Sequence, residues 1–415
     1  MVLAIAISLP VVQTKLAQYL TEKLNEDFKT DINVERIKVT IFGTVKLQQV
    51  YIRDHHKDTL IYAKKIQTNI LSFKKLYNGD LYFGDIRADG LLLNMKIYKG
   101  EKDSNLDLFI AAFDSEPTGD PSKKFLLTAK NVYLTNSRFV LIDNNLKIPK
   151  SVDFTRIDAT MNRLKVHGPD VTMFINRMGF RDFRGLFVSD FTSDFTYTKT
   201  NILLNKLKFF TEDSNFDGDV ALRYIRTDFA DFNNKVKFDI EINQASIATN
   251  DIAYFYKELG ADRKFDIKAD IKGTLNDFNV KNLQLKEGSV SEIIGDVNFR
   301  NLFGREGQNF YMKGSFDKVA SDYNNLVDLL PNILGNKLPS TLAKIGRFLV
   351  RGDAEISTSF INADVYMTTA LGNVQSNLKM SNINNIDNAS YSGNIILENV
   401  DLGKLLDRSD LGRVT

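Results

Sequence analysis

The strongest constraint in this sequence is a period-two alternation of apolar and polar residues that begins near residue 31 and recurs along the chain. Two segments, KVKFDIEI and KFDIKADIKG, show it without interruption. Their apolar positions are Val236, Phe238, Ile240 and Ile242, followed by Phe265, Ile267, Ala269 and Ile271. Because successive side chains of a strand point to opposite faces, each segment predicts a strand with one apolar and one solvated face. Such strands are typical of antiparallel sheets.

The aromatic and proline contents also favour long strands. The chain has 30 Phe and 15 Tyr but only 7 Pro. Aromatic residues are enriched in strands, and proline interrupts them. We therefore predict a mainly β fold, built as an elongated, twisted antiparallel sheet. Helices are predicted only near residues 10–28, 251–259 and 322–347, where apolar residues follow helical spacing or an initial aspartate.

A phrase made of a strand, a polar turn, a glycine and a second strand recurs at 200–224, 280–299 and 360–383. Short segments that start with aspartate separate these phrases. The aspartates are Asp251, Asp322 and Asp401, at spacings of 71 and 79 residues. A unit of this size, repeated along one axis, is typical of a stacked or continued repeat.

The domain organisation follows from these repeats and from SEPTGDPSKK, which combines Pro, Gly, Ser and charge and is the best linker candidate. The predicted segments are 1–12, the end of a membrane anchor; 13–115, an N-terminal helix and first β-segment; 116–124, the linker; 125–245, a β-segment; 246–320, a repeat; 321–400, a repeat with a helical cap; and 401–415, the truncated start of a further repeat.

The first residues form an uncharged apolar run, MVLAIAISLPVV. It is about half the ~20 residues that a bilayer-spanning helix needs, and it lacks the basic start and the cleavage site of a secretory signal. The run is the outer end of a membrane anchor, a short buried segment or a damaged signal, and we favour the anchor. The predicted anchor residues are Val2, Leu3, Ile5, Ile7 and Leu9.

The composition argues against several functional classes. The 54 Lys and Arg nearly balance the 52 Asp and Glu, so no strong field attracts nucleic acid. No cysteine is present, which excludes disulfides, thiolate zinc sites and cysteine nucleophiles. With only three histidines and no phosphate-binding glycine loop or nucleophile elbow, we expect neither an enzyme nor a bound cofactor.

Two polar motifs are candidates for metal sites. Asp213, Asn215, Asp217 and Gly218 match the first half of a helix–loop–helix calcium site, but Tyr224 occupies the twelfth position, where a bidentate Glu is required. We therefore favour a plain turn there.

The second motif is His55-His56 within DHHKD. Adjacent side chains of an extended chain point to opposite faces, so the two imidazoles converge on one ion only if a special turn brings them together. A polar loop is the favoured interpretation, and no metal is expected.

The chain resembles a known family. The segments PVVQTKLAQYLTEKLNEDF, INVERIKVTIFGTVKLQQVYIRDHHKDTLIYAKKIQ and LYNGDLYFGDIRADGLLLNMKI resemble the N-terminal part of the TamB-like translocation and assembly module proteins of Bacteroidota, in the AsmA-like superfamily. The recurring NLxL, GS and GDV phrases are similar to the body of the same family. The resemblance covers essentially the whole chain, through diffuse patterns, and it makes 246–320 and 321–400 AsmA-like repeats.

This resemblance implies a function without catalytic residues. It implies an inner-membrane anchor, a periplasmic body and a long sheet curled into a half-open apolar trough. The expected role is outer-membrane biogenesis, by conducting phospholipid along the groove, by assisting outer-membrane protein assembly, or both. The expected partners are phospholipid, the inner membrane and an outer-membrane β-barrel met through a region absent from this sequence.

The alternation itself names the residues that would line such a groove. They are Ile202, Leu204, Val236, Phe238, Ile240, Ile242, Phe265, Ile267, Ile271, Leu283 and Leu285. The same alternation also suits a structural or adhesive protein whose apolar faces close into a sandwich core, and sequence alone does not separate the two. A polysaccharide-acting β-helix enzyme is a further alternative, but the cluster of Asp and aromatic residues that it needs is not evident.

Overall fold

The computed structural model describes residues 15, 21–22, 25–26, 29–40, 43–72, 74–75, 80–112, 126–255, 259–302, 309–329, 340–383 and 388–415. The protein is mainly β, with 65% strand and 12% helix, which confirms the prediction of a mainly β fold. The chain divides into two compact units. Unit 1 comprises Met1–Glu212 and Arg223–Ala230, and unit 2 comprises Asp213–Leu222 and Asp231–Thr415.

In its described residues, unit 1 contains ten strands and the helix α1, besides helical residues at 15, 21–22, 25–26 and 74–75. They are β1 (Asp31–Val39), β2 (Thr44–Arg53), β3 (Thr59–Ile70), β4 (Leu81–Ile97), α1 (Asn105–Ala112), β5 (Leu126–Asp143), β6 (Lys150–His167), β7 (Asp170–Asp182), β8 (Phe187–Val188), β9 (Asp190–Tyr197) and β10 (Asn201–Phe210). Neighbours in the sheet follow chain order from β1 to β7, then β9 and β10, with β8 also paired to β7.

One strand pair in unit 1 is parallel. Strands β4 and β5 run in the same direction, from Leu81 opposite Leu127 to Ile97 opposite Asp143. The prediction of a purely antiparallel sheet is therefore wrong at this pair. A parallel pair requires a connection that carries the chain back to the starting end, and the segment containing α1 lies in that connection. The predicted linker 116–124 falls in the same connection, outside the described residues.

The core of unit 1 lies on one face of strands β5, β6 and β7. Its buried residues are Ala129, Val132, Ile157, Ala159, Met161 and Ile175. Partly buried aromatic residues surround them, and the ring centroids of Phe154 and Phe180 lie 4.4 Å apart. On β6 the buried residues Ile157, Ala159 and Met161 alternate, as the sequence pattern requires, whereas Ala129 and Val132 on β5 are three positions apart.

Unit 2 contains the remaining strands, most of them in one continuous meander. They are β11 (Asn215–Arg223), β12 (Lys237–Ala248), β13 (Lys264–Thr274), β14 (Asp277–Glu287), β15 (Ser291–Arg300), β16 (Tyr311–Ser321), β17 (Phe348–Ser357), β18 (Phe360–Thr369), β19 (Gly372–Ser381), β20 (Ser390–Glu398), β21 (Val400–Asp401) and β22 (Arg413–Val414). From β12 to β20 every strand pairs antiparallel with the next.

The helices of unit 2 are short. They are α2 (Phe232–Lys235), α3 (Thr249–Ile252), α4 (Tyr323–Leu329), α5 (Leu402–Leu406) and a 3₁₀ helix at Ser340–Ile345. A further 3₁₀ helix, Arg226–Asp231, joins the two units in sequence. At α5, the Asp401 side chain accepts a hydrogen bond from the backbone N–H of Lys404, which caps the first turn.

The prediction that helices are confined to three regions is wrong. Helices α1, α2 and α5 lie outside those regions, and the helix predicted at 251–259 is only the short α3. The region 322–347 holds α4 and the second 3₁₀ helix, while residues 330–339 lie outside the described residues. Of the predicted 10–28 helix, residues 15, 21–22 and 25–26 are described, and they are helical.

The glycine of the recurring GDV phrase has a steric role. A Cβ atom added to Gly218 would lie 2.0 Å from the backbone oxygen of Glu241, and one added to Gly295 would lie 2.3 Å from that of Ser315. In both copies the glycine lets a neighbouring strand approach closely.

The predicted boundary between 245 and 246 falls inside β12, so it does not separate two compact units.

Candidate functional site

A row of apolar residues crosses nine consecutive strands of unit 2. The register places these residues directly opposite one another, one on each strand from β12 to β20. We call them the apolar row: Ala245, Ile267, Leu285, Ile293, Val319, Val350, Met367, Val374 and Leu397. The side chains of this row therefore form one continuous line of cross-strand apolar neighbours.

Two further rows extend this face along the strands. One comprises Ile240, Ile271, Val280, Val297, Gly314, Ala354, Ala363, Leu378 and Gly393, and the other comprises Phe238, Gly273, Phe278, Phe299, Met312, Ile356, Ile361, Met380 and Tyr391. No residue of the three rows carries a charge. We call the three rows together the apolar face.

The opposite face of the same strands is polar in every position of the corresponding row. That row comprises Asp239, Lys272, Asn279, Asn298, Lys313, Glu355, Asn362, Lys379 and Ser392. Lys272 and Asp239 form an ion pair of 3.2 Å there. The sheet of unit 2 is therefore amphipathic across these rows, and Glu287, opposite Phe265 and paired with Arg263, is a charged residue at the edge of the apolar face.

The apolar row is only partly covered. Ala245 is buried, with 1% exposure, whereas the other eight residues of the row are half-buried. A closed sandwich packs two inner faces against each other and buries such positions. Within the described residues, the apolar row thus keeps solvent access along its length.

The structure brings most of the predicted lining residues together on this face. Those on the same face as the apolar row are Phe238, Ile240, Ile242, Phe265, Ile267, Ile271, Leu283 and Leu285. Val236 precedes β12 and is 1% exposed. Ile202 and Leu204 lie on β10 in unit 1, opposite Tyr197 and Phe195, so they belong to a different sheet region.

Sequence reasoning did not name the part of the face that lies on β16 to β20. Val319, Val350, Met367, Val374 and Leu397 continue the row there. Their strands intersperse Thr, Ser and Asn with the apolar residues, which weakens the alternation. A period of two is still present in FINADVYMTT. This alternation is the sequence signal from which the apolar residues of that strand could be identified.

The His55-His56 pair does not behave as an extended dipeptide. It lies in a turn between β2 and β3, and both Nε2 atoms approach the Glu101 carboxylate: His55 at 2.9 Å from Oε2 and His56 at 2.6 Å from Oε1. The polar-loop interpretation is correct, since the pair is not in a strand, and the special turn that convergence of the two imidazoles requires is present. The pKa of Glu101 is lowered, chiefly by the hydrogen bond with His56.

The calcium-like motif has a different setting. Asn215, Asp217 and Gly218 are part of strand β11 rather than of a loop, and the close approach of Gly218 to Glu241 accounts for the glycine. Alternate residues of a strand share one face but do not wrap around an ion as a calcium loop does. The plain turn is confined to the residues just before Asn215.

The mainly β fold and the amphipathic nine-strand meander define the class of protein as an open-sheet β protein with a long apolar surface. Comparison with family models, curated proteins and solved structures finds no match to this chain. Among the described residues, none of the helices combines the length and apolarity that a bilayer span requires. The predicted anchor residues, from Val2 to Leu9, lie outside the described residues.

Proposed function

We propose that the apolar face of unit 2 binds the acyl chains of phospholipid and lets them move along the sheet. The observation that carries this proposal is the apolar row, which is uninterrupted over nine strands and half-buried in eight of its nine positions. Adjacent strands lie about 4.8 Å apart, so the row offers an apolar path of about 38 Å. The proposal includes the half-open trough, in which the sheet curls around the apolar row and shelters the acyl chains from water.

The energetics favour such a path. Each CH₂ group exposed to water costs about 0.8 kcal/mol, so a ~16-carbon chain costs on the order of 13 kcal/mol to carry through water. Contact with the apolar face removes much of this cost at every point along the row. Since the three rows lack charged residues, no position would hold a lipid strongly, and acyl chains would slide.

The cellular setting of the proposal rests on the resemblance to TamB-like proteins. On that basis we place the protein in outer-membrane biogenesis, with an inner-membrane anchor, a periplasmic body and an outer-membrane β-barrel partner. In the same proposal, this surface assists outer-membrane protein assembly. An apolar strand of a client protein that has not yet paired would also bind to an apolar face. The proposal includes no catalytic step and no cofactor.

Mass spectrometry of organic extracts from the purified protein tests the proposal. We expect phospholipid to co-purify at about one molecule per chain or more, and to be retained through a wash in lipid-free buffer. Protein that is folded by circular dichroism but free of phospholipid, both as purified and after incubation with phospholipid vesicles, contradicts it and favours a structural or adhesive role.

A further inference from the structure

We propose that His55, His56 and Glu101 form a binding site for a divalent transition-metal ion of the zinc class. One ligand atom from each of the three residues can be chosen so that all lie within 4.8 Å of one another. The site lies in unit 1 and is independent of the apolar face. It combines two imidazoles and one carboxylate, a ligand set that suits zinc, copper and nickel better than magnesium or calcium.

A buried aspartate builds the turn that brings the two histidines together. Asp54 is 6% exposed, and its Oδ1 accepts hydrogen bonds from the backbone N–H groups of His56 and Asp58, both at 3.0 Å. Lys57 adopts a left-handed conformation, with φ of 67°, which lets the chain reverse. Because the chain is not extended here, both imidazoles reach the same side.

The other oxygen of Asp54 ties this turn to distant parts of unit 1. Its Oδ2 accepts a hydrogen bond from the Asn105 side chain at 2.8 Å and one from the Tyr98 hydroxyl at 2.8 Å. Asn105 is 1% exposed, and its Oδ1 accepts from the backbone N–H of Lys96. The histidine turn is thus fixed by buried contacts rather than by its own sequence alone.

A second turn positions Glu101. The backbone N–H of Glu101 donates to the Tyr98 carbonyl oxygen at 3.0 Å, and Gly100 has a φ of 86°, which favours glycine. The Asn145 side chain accepts from the Gly100 N–H at 2.8 Å and donates to the Glu101 carbonyl oxygen at 2.9 Å. These hydrogen bonds fix the turn that carries the Glu101 carboxylate. The ligands of metal sites are commonly held in place in this way, by hydrogen bonds from residues that do not themselves bind the metal.

Tyr98 also packs against both imidazoles. Its ring centroid lies 3.9 Å from that of His56 and 5.5 Å from that of His55. Lys96, a cation beside this ring, is neutralised by an ion pair with Asp58 at 2.9 Å.

The dimensions fit an ion after a small adjustment. Tetrahedral zinc holds its ligands about 2.0–2.1 Å away, which places neighbouring ligand atoms about 3.3 Å apart. The two His–Glu distances, 2.9 and 2.6 Å, would widen by about 0.4 and 0.7 Å, and ligand atoms that now lie up to 4.8 Å apart would move closer together. The side chains of His55, His56 and Glu101 are 32%, 45% and 32% exposed, so they have room to move and leave a coordination position open to water.

Calorimetric titration of ZnCl₂ into the whole chain, purified without a polyhistidine tag, tests this site. We expect one zinc ion per chain. His56→Ala and Glu101→Gln should each weaken binding by about 100-fold or more, and Asn145→Ala, which removes a supporting contact, by about 10-fold. The matched control is His167→Ala, which removes the third histidine, at the exposed end of β6, and should bind zinc as the unchanged chain does.

Cobalt provides a second readout that is independent of heat. Co²⁺ bound by two imidazoles and a carboxylate gives visible absorption bands, which we expect in the unchanged chain and in His167→Ala but not in Glu101→Gln. Thermal unfolding without metal shows whether each variant is folded. The proposal is overturned if the unchanged chain binds no zinc, or if folded His56→Ala and Glu101→Gln bind it as tightly as His167→Ala does.

Discussion

Arg138 contacts both carboxylate oxygens of Asp153 in unit 1, with Nε 2.8 Å from Oδ1 and Nη2 2.7 Å from Oδ2. Lys150 Nζ lies 2.6 Å from Oδ2 of the same residue. Asp153 is only 2% exposed. The hydrogen bond from Arg138, followed by that from Lys150, lowers the pKa of Asp153 from 3.8 to about 2.

This pair predicts a specific dependence of stability on pH. A carboxylate whose pKa is lower in the folded state stabilises the fold above the unfolded pKa, and this contribution is lost as the pH falls from 3.8 towards 2. Asp153→Asn should reduce the free energy of unfolding by about 2 kcal/mol at pH 7, and by about half as much at pH 3. Urea unfolding of the unchanged chain and of Asp153→Asn at pH 7 and pH 3 measures this difference in the free energy of unfolding.

The control for this prediction is an exposed ion pair in the same unit. Arg163 Nη2 lies 3.3 Å from Oδ1 of Asp194, whose side chain is 40% exposed. Asp194→Asn should change stability by no more than about 0.5 kcal/mol, because solvent screens the pair. Equal effects of the Asp153 and Asp194 substitutions at pH 7 would show that the buried pair has no special role.

The glycine of the GDV phrase should not tolerate a side chain. Gly295 has a φ of 155°, and a Cβ there would lie 2.3 Å from the Ser315 oxygen, so Gly295→Ala should destabilise unit 2 by about 2–4 kcal/mol. At Gly412 a Cβ would meet nothing within 4 Å, and Gly412→Ala should stay within about 0.5 kcal/mol. Thermal unfolding of both variants checks this. Equal melting temperatures would refute the steric role.

A charge on the apolar row should remove bound lipid. Ile267 is half-buried and lies opposite Leu285, so Ile267→Asp places a carboxylate on the path of the acyl chain at a cost of about 2–3 kcal/mol. We choose Ile267 over Phe238 because Phe238 is buried and its ring centroid lies 6.0 Å from that of Phe278, so Phe238→Lys would also disturb the core.

The matched control for Ile267→Asp is the next residue along the strand. Lys268 is exposed on the polar face opposite Gln284, and Lys268→Asp should leave lipid binding unchanged. The measurement is the amount of phospholipid that co-purifies with each folded variant, which we expect to fall several-fold for Ile267→Asp alone. If folded Ile267→Asp retains as much lipid as Lys268→Asp, the apolar row does not bind lipid.

Local periodicity made much of the fold of unit 2 predictable. Strand β13 alternates from end to end and β12 alternates as far as Ile242, so their apolar residues could be assigned to one face before any pairing was known. The phase changes between Ile242 and Ala245, where the register shifts, because extra residues in one strand form a bulge. After a bulge, a fixed period of two assigns residues to the wrong face of the sheet. The strand pairing is then needed to assign them correctly.

Features that depend on distant contacts could not be predicted. Alternation favours antiparallel pairing, and it did not reveal that β4 pairs parallel to β5, because the direction of pairing depends on the connection between the two strands. The convergence of His55 and His56 depends on Asp54, whose partners Tyr98 and Asn105 lie 44 and 51 residues away. Nothing local to the DHHKD segment indicates those partners.

Photo-crosslinking from single positions tests lipid conduction by the apolar face most directly. A photoreactive phenylalanine analogue is placed at position 267 or 293, both on the apolar row, or at position 268 on the polar face. We predict phospholipid adducts, detected by mass spectrometry after irradiation, from 267 and 293 and none from 268. Equal labelling of both faces, or no lipid adduct from any position of the folded protein, would contradict the proposal that acyl chains travel along this sheet.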